Sequence, residues 1–186
     1  VKVRNELRSK AGLMRGREFW MKDLYSFSRS QEEHDAFYEE ITEAYHRVYD
    51  RLGIGNETYK TFASGGSFAK YSHEFQTLSD VGEDIIYVHE GKRIAINEEV
   101  YTDEVLADLG VTKDELVEKK AVEAGNIFTL GTKFSDALDL TFTDEDGSRK
   151  KVIMGSYGIG PSRLMGLIAE HFADDTPTDI WSQPEP

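Results

Sequence analysis

The chain is 186 residues long, 39% hydrophobic, free of cysteine and acidic, with a formal net charge of −13. That length predicts one domain with a real core, and the missing cysteines exclude a disulfide framework and a thiolate zinc site. No apolar run reaches the roughly 20 residues of a membrane span, no signal-peptide pattern opens the chain, and the net charge argues against a basic clamp on long nucleic acid; the reading is a cytoplasmic protein with no membrane partner.

Residues 1–22 run against the acidic average. Lys2, Arg4, Arg8, Lys10, Arg15, Arg17 and Lys22 stand against Glu6 and Glu18, a local excess of +5 that suits a small anionic ligand. The pattern predicts an alternating strand at Val1 and Val3 carrying Arg4 and Glu6, a basic loop with Lys10, Gly12, Arg15, Gly16 and Arg17, and a second, aromatic strand from Phe19 to Phe27. A cationic hairpin loop of this kind can wrap a polyphosphate. Because the chain begins with Val and enters a strand pattern at once, it reads as a piece of something longer.

Ser30 to Leu52 is the clearest helix: Ser30 and Glu33 have capping-box spacing, Phe37, Ile41, Ala44, Val48 and Leu52 recur at three to four residues, and Gly53 can end it. A strand at Thr58 to Phe62 and a Gly-rich turn at Ser64 to Ser67 follow, then paired strands at Glu74 to Leu78 and Ile85 to Val88, and a short apolar piece at Ile94 to Ile96. Residues 97–121, dense in Glu and Lys with a second capping box at Thr112 and Glu115, predict a small helical insert. Strands are expected at Asn126 to Leu130 and Leu138 to Thr143, with a hairpin turn at Asp146 and Gly147. Gly155, Gly158 and Gly160 then lead into a helix from Pro161 to about Phe172, with Arg163 in its first turn, where it would face an anion. An acidic, extended exit is expected over 174–186. Strands joined mostly by turns, with the long helices segregated, predict an α+β fold built on an antiparallel sheet.

Familiar nucleotide and hydrolase motifs fail. Arg163 stands where a dinucleotide loop needs its third glycine, Ala69 precedes Lys70 where a phosphate loop needs glycine, and Met154 stands two places before Ser156 where a nucleophile elbow needs one. Each candidate also has an ordinary structural reading. Arg163 could be an exposed first-turn arginine, unfavourable against the helix dipole without an anion. Arg4 could be an exposed strand residue with Glu6 as its salt-bridge partner, Phe19 a core ring, and His73 a hydrogen-bonded structural histidine.

Taken together, Arg4-Asn5-Glu6, the run from Arg15 to Phe19, and Gly158-Ile159-Gly160-Pro161-Ser162-Arg163 resemble motifs 2 and 3 of class II aminoacyl-tRNA synthetases. More narrowly, LMRGREFWMKDLYSF at 13–27, SGGS at 64–67, SHEFQTLSDVGED at 72–84, GNIFTLGTKFSDAL at 125–138 and GSYGIGPSR at 155–163 are similar to bacterial-type prolyl-tRNA synthetases, in the family's order and over most of the chain. The resemblance implies ATP-dependent activation of proline to prolyl-adenylate and its transfer to tRNA(Pro). It also implies Mg2+ bridging the phosphates, with no protein-only metal centre.

By resemblance, Arg4 would hold the α-phosphate, Glu6 would accept from the adenine amino group, Phe19 would stack on the ring, Arg15 would reach the distal phosphates and Arg163 would grip the γ-phosphate. Arg4 and Arg163 are the expected catalytic pair. His73, Glu74, Phe75, Asn126, Phe128, Ser156 and Gly158 are expected around the proline. Only about two dozen residues fill the gap from Asn97 to Val122 where many bacterial members carry an editing domain, so no editing activity is expected. Motif 1, which would build a homodimer in the full-length protein, and the loop that binds the proline amino group are expected before residue 1. An anticodon-binding domain is expected after the core at 1–173, so most tRNA contacts would lie outside this chain. A noncatalytic synthetase-like module that binds a nucleotide or protein, and a class II synthetase for another amino acid, are the alternatives.

Overall fold

The computed structural model describes residues 1–66 and 69–173; Ser67 of the Gly-rich turn and the exit expected over 174–186 lie outside the described residues. The basic N-terminal segment forms a two-stranded ribbon, β1 (Lys2–Val3) with β2 (Glu18–Phe19), paired Lys2 to Phe19 and Val3 to Glu18. The expected continuous strand from Phe19 to Phe27 is broken. β3 (Lys22–Ser28) belongs to a different sheet, and at the break the Trp20 amide donates to Ser162 Oγ at 2.9 Å. A partner on a distant helix thus satisfies the backbone group that a strand would have used.

α1 (Gln31–Arg51) starts as the sequence predicts, with Ser30 Oγ accepting from the Glu33 amide at 3.2 Å. The Glu33 carboxylate reaches back one residue further than a capping box requires, to the Arg29 amide at 2.6 Å. The buried face of α1 is His34, Tyr38, Thr42, Tyr45 and Tyr49, while Phe37, Ile41, Val48 and Leu52 pack at its margins. The expected aliphatic stripe is therefore turned off centre. Tyrosines take the centre because their rings bury large area, and the sheet offers the hydroxyls of Tyr38 and Tyr45 polar partners. Tyr38 donates to the Ile127 carbonyl at 3.2 Å, and Tyr45 accepts from Lys22 Nζ at 2.9 Å. Tyr49 presses so close to Gly125 that a Cβ there would lie 2.5 Å from its hydroxyl oxygen.

The main sheet adds β4 (Thr58–Ser64), β5 (Tyr71–Leu78), β6 (Asp84–His89), β7 (Ile94–Asn97), β8 (Val117–Gly131) and β11 (Ile153–Ile159), in the order β3-β11-β8-β5-β4-β7-β6. Its pairings are antiparallel except for β4 with β7. The expected pairing of β5 with β6 does not form. The 15-residue β8 runs between them, so that Leu78 and Asp84 both face Ala121. Since β6 also pairs with β7, the strands β8, β5, β4, β7 and β6 close into a ring, with Tyr59, Ile86, Val88, Ala95 and Ala121 as one buried cluster. Closure removes the free edge that an open sheet would leave on that side.

The excursion after β7 holds α2 (Asp103–Leu109) between short 3-10 turns and packs Val105, Leu106 and Val111 on Ile96. The capping box at Thr112 and Glu115 is present, but strand resumes at Val117, where helix had been expected to 121. Strand is also absent from Leu138 to Leu140. The segment begins as α3 (Lys133–Ala137), whose turn is closed by the Asp136 amide donating to the Thr132 carbonyl at 2.7 Å; Leu138 caps it and Asp139 takes φ 50°. β9 (Thr141–Thr143) and β10 (Arg149–Lys151) form the hairpin signalled by Asp146 and Gly147. α4 (Pro161–His171) completes the described chain, and no described helix is long and apolar enough to cross a membrane.

Phe75 is fully buried between Tyr45, Tyr49 and His46 of α1. Phe75→Ala should lower the unfolding free energy by about 3–5 kcal/mol in urea titrations; a loss below about 1 kcal/mol would show that this ring does not anchor α1 to the sheet.

Candidate active site

The N-terminal ribbon, β8, β11 and the start of α4 enclose a cleft of about 680 Å³, and Arg4, Glu6, Arg15, Phe19 and Arg163 all line it. Two chain ends meet there. Arg4 continues the ribbon ladder through its amide, which donates to the Arg17 carbonyl at 2.8 Å, and its guanidinium lies 5.0 Å from the centre of the Phe19 ring. It makes no ion pair among the described residues. An arginine without a carboxylate at the mouth of a cleft is available to an incoming anion.

The other charged groups are partnered. Glu6 accepts from the Arg8 amide at 2.7 Å and lies 3.3 Å from Arg15 Nε; these contacts, the Arg8 amide foremost, hold its carboxyl below the usual range. Arg15 Nη1 donates to Glu83 at 2.8 Å. Arg163 donates from Nε to the Met14 carbonyl at 2.9 Å, and from Nη1 to the Glu123 carbonyl at 3.0 Å and its carboxylate at 3.2 Å. These acceptors offset the repulsion that an arginine meets at a helix N-terminus. Pro161 opens α4 and Gly160 supplies no side-chain cap, which leaves first-turn amides free of side-chain partners.

The residues expected around a proline divide between the two faces of the sheet. Register aligns Gly158 with Asn126 and Asn126 with Glu74, and Ser156 with Phe128. Asn126 and Gly158 line the cleft, and Phe128 and Ser156 follow two residues along on the same face, where the strand period of two repeats the orientation. At Gly158 a Cβ would sit 3.2 Å from Asn126 Oδ1 and 2.8 Å from the Met21 methyl, so its absence keeps the floor open. His73 and Phe75 do not belong to this face, which corrects their expected place. Both turn toward α1, where His73 Nδ1 shares a 2.7 Å hydrogen bond with the Tyr38 hydroxyl and burial pushes the imidazole down to about 3. Alternation along SHEF cannot send three consecutive side chains to one pocket.

Glu123 lines the cleft and was not anticipated from the sequence. Three residues apart on a regular strand, Glu123 and Asn126 would face opposite ways. Phe75 pairs with Gly125 and Gln76 with Glu123, so Ala124 is an extra residue that resets the alternation. Both side chains then share one face, with Asn126 Nδ2 donating to Glu123 Oε1 at 2.9 Å. An acid three residues before the predicted Asn126 was visible, but the bulge that makes it useful was not. Met14 and Met21, also in the lining, carry no sequence signal that separates them from core residues.

Glu74 sits one strand beyond Asn126 and accepts from Gln76 Nε2 at 2.8 Å and Asn97 Nδ2 at 3.1 Å. Burial, with the nearby Glu123 charge second, pushes its carboxyl up to about 7 from 4.5. A raised carboxyl binds its proton more tightly when folded, so this stabilisation is complete below the unfolded value and is lost as pH rises through 7. The stability of the native chain relative to Glu74→Gln should therefore fall by on the order of 3 kcal/mol between pH 4.5 and pH 8 in urea unfolding. A difference independent of pH would refute the buried carboxyl.

Residues 2–172 match the family model described as tRNA synthetase class II core domain (G, H, P, S and T). The chain is 37% identical over 188 residues to proline--tRNA ligase of Anaplasma marginale, covering 94% of this chain and 44% of that protein. It is 37% identical over 201 residues to the proline--tRNA ligase of Rhodospirillum rubrum (97% and 46%) and 36% identical over 205 residues to that of Sulfurimonas denitrificans (98% and 46%). The chain thus spans a little under half the length of these curated relatives. With a family model matched across the sheet, the cleft and both arginine-bearing ends, the chain belongs to the class II tRNA synthetase core-domain family.

Proposed function

We propose that this chain carries the adenylating centre of a cytoplasmic proline--tRNA ligase, in which ATP and proline form prolyl-adenylate and the prolyl group then passes to tRNA(Pro). The observation that carries the reading is the convergence of Arg4, Glu6, Arg15, Phe19 and Arg163 on one cleft. The names of the relatives at 36–37% identity support proline as the amino acid. The full-length protein would be a homodimer, with most tRNA contacts in regions beyond this chain. The excursion at 98–116 packs on Ile96, Tyr71 and Tyr87 of the sheet, and we read it as a compact connection.

In this mechanism adenine stacks on Phe19 with its amino group toward Glu6, and the triphosphate meets Arg4, Arg15 and Arg163. The proline carboxylate attacks the α-phosphorus; a P–O bond forms, the bond to the bridging oxygen breaks, and pyrophosphate leaves with that electron pair. No proton transfer is needed, so the protein's task is positioning and charge stabilisation, with Arg4 at the centre where charge develops. Arg163 trades part of its contact with Glu123 for phosphate. Phe128, Ser156 and Gly158 offer a small, mostly apolar floor for the proline ring beside Asn126.

The cleft fits Mg2+ by its donors. Glu123 supplies a carboxylate and Asn126 an amide oxygen, and the missing Cβ of Gly158 leaves space at that oxygen. An ion held there would take its remaining ligands from phosphates and water. When bound, Mg2+ would neutralise phosphate charge.

Proline-dependent exchange of pyrophosphate into ATP should be detectable, and Arg4→Ala or Arg163→Ala should lower it by about 100-fold or more, in Arg4→Ala without a matching loss of thermal stability. Undiminished exchange in both variants would overturn the residue assignment. No exchange from a chain that still binds ATP would overturn the catalytic reading in favour of a binding module, and stabilisation by threonine or serine in place of proline would overturn the substrate.

A further inference from the structure

We propose that Glu83 is a positioning residue for the distal-phosphate half of the nucleotide site, acting through Arg15; this rests on the ATP reading above. Glu83 lies outside the main cleft. It lines an adjoining recess of about 610 Å³ whose wall includes Arg15, Arg163 and Glu123. Its contact with the cleft lining is through Arg15, whose side chain borders both spaces.

The loop that carries Arg15 has little internal order to fix a long side chain. Its regular structure is one 3-10 turn, Gly12–Met14, without a side-chain cap, and Ala11 and Gly12 both take left-handed φ of 53° and 55°. A single bridge, the Lys10 amide to the Arg15 carbonyl at 3.2 Å, closes its base. Glu83, remote in sequence, completes the closure from outside by accepting from Arg15 Nη1 at 2.8 Å and pairing with Lys10 Nζ. Glu83 is itself well placed to anchor, because its turn is tied down by the Gly82 amide to the Ser79 carbonyl and the Ser79 amide to the Lys120 carbonyl.

Two carboxylates straddle the Arg15 guanidinium: Glu83 at Nη1, and Glu6 at 3.3 Å from Nε. Glu83 holds Nη1 by a hydrogen bond, Glu6 attracts the Nε side without one, and Nη2 donates no hydrogen bond among the described residues. A guanidinium held this way presents a free donor edge in a set orientation, and a phosphate binding there need not order the side chain at that moment. Partly exposed ion pairs contribute little to folding stability, so the consequence of this arrangement falls on ligand binding. Other candidates are weaker: the Asp144 cluster with Arg29 and Lys150 is a surface network between the β9–β10 hairpin and the start of α1, and the exposed apolar residues Val1, Val3 and Trp20 face nothing that identifies an occupant.

The test compares ATP with AMP, which lacks the distal phosphates, by titration calorimetry on the whole chain. Glu83→Gln should weaken ATP by about tenfold while leaving AMP affinity and the melting midpoint unchanged. In an Arg15→Ala background the same substitution should have no further effect on ATP, because the two act as one unit. Tighter or unchanged ATP binding in Glu83→Gln, or an equal loss for AMP, would overturn the inference while leaving the nucleotide site in place. If the native chain bound neither nucleotide, the site itself would fall and this inference with it.

Discussion

Three segments that are far apart in the chain meet at one guanidinium. Arg163 of α4 reaches the Met14 carbonyl in the basic loop and both the carbonyl and carboxylate of Glu123 in β8. These contacts join the ribbon, the sheet and the last described helix around the cleft, and they hold a cation at a helix N-terminus where its charge alone would be unfavourable. In the absence of an anion, the cleft is a balanced set of arginines and carboxylates. Arg4, without an ion pair among the described residues, is the exception, and in the proposed reaction it would supply the uncommitted charge.

The geometry behind that junction depends on β8. Its 15 residues contribute to three pairings, with β6 through its first part, with β5 through its middle and with β11 through its last part. This one strand links the cleft floor to the small closed ring of strands. The extra residue at Ala124 is local, yet it decides which side chains face the cleft, because a shift of one residue in a strand exchanges the two faces. Behind the sheet, the tyrosines of α1 support the floor with rings in the core, and the Tyr38 hydroxyl donates to a carbonyl of β8 itself. The close approach of Tyr49 to Gly125 shows how little space separates that support from the cleft.

Much of this was legible in the amino-acid sequence. The local charge of residues 1–22, the start of α1 at Ser30, the capping box at Thr112, the hairpin at Gly147 and the helix opened by Pro161 are short-range features, set by charge, capping and backbone preference within a few residues. The five residues proposed for the nucleotide were recognisable because Arg4, Glu6, Arg15, Phe19 and Arg163 sit in short, distinctive strings, and all five line one cleft.

What the tertiary structure alone decided is which strands are neighbours and which way each side chain faces. β5 and β6 looked like a pair because they are consecutive, but β8 comes between them from some forty residues onward, a choice made by long-range burial. His73 and Phe75 looked like pocket residues because they flank Glu74 in one string; the strand period turns them to α1 instead. Glu123 and Glu83 gain their partners only on folding, the first through a bulge and the second across a turn. Residue types and local conformation therefore followed from sequence, because their causes are local. Facing and neighbourhood did not, because register and strand order depend on contacts between residues that the chain itself keeps far apart.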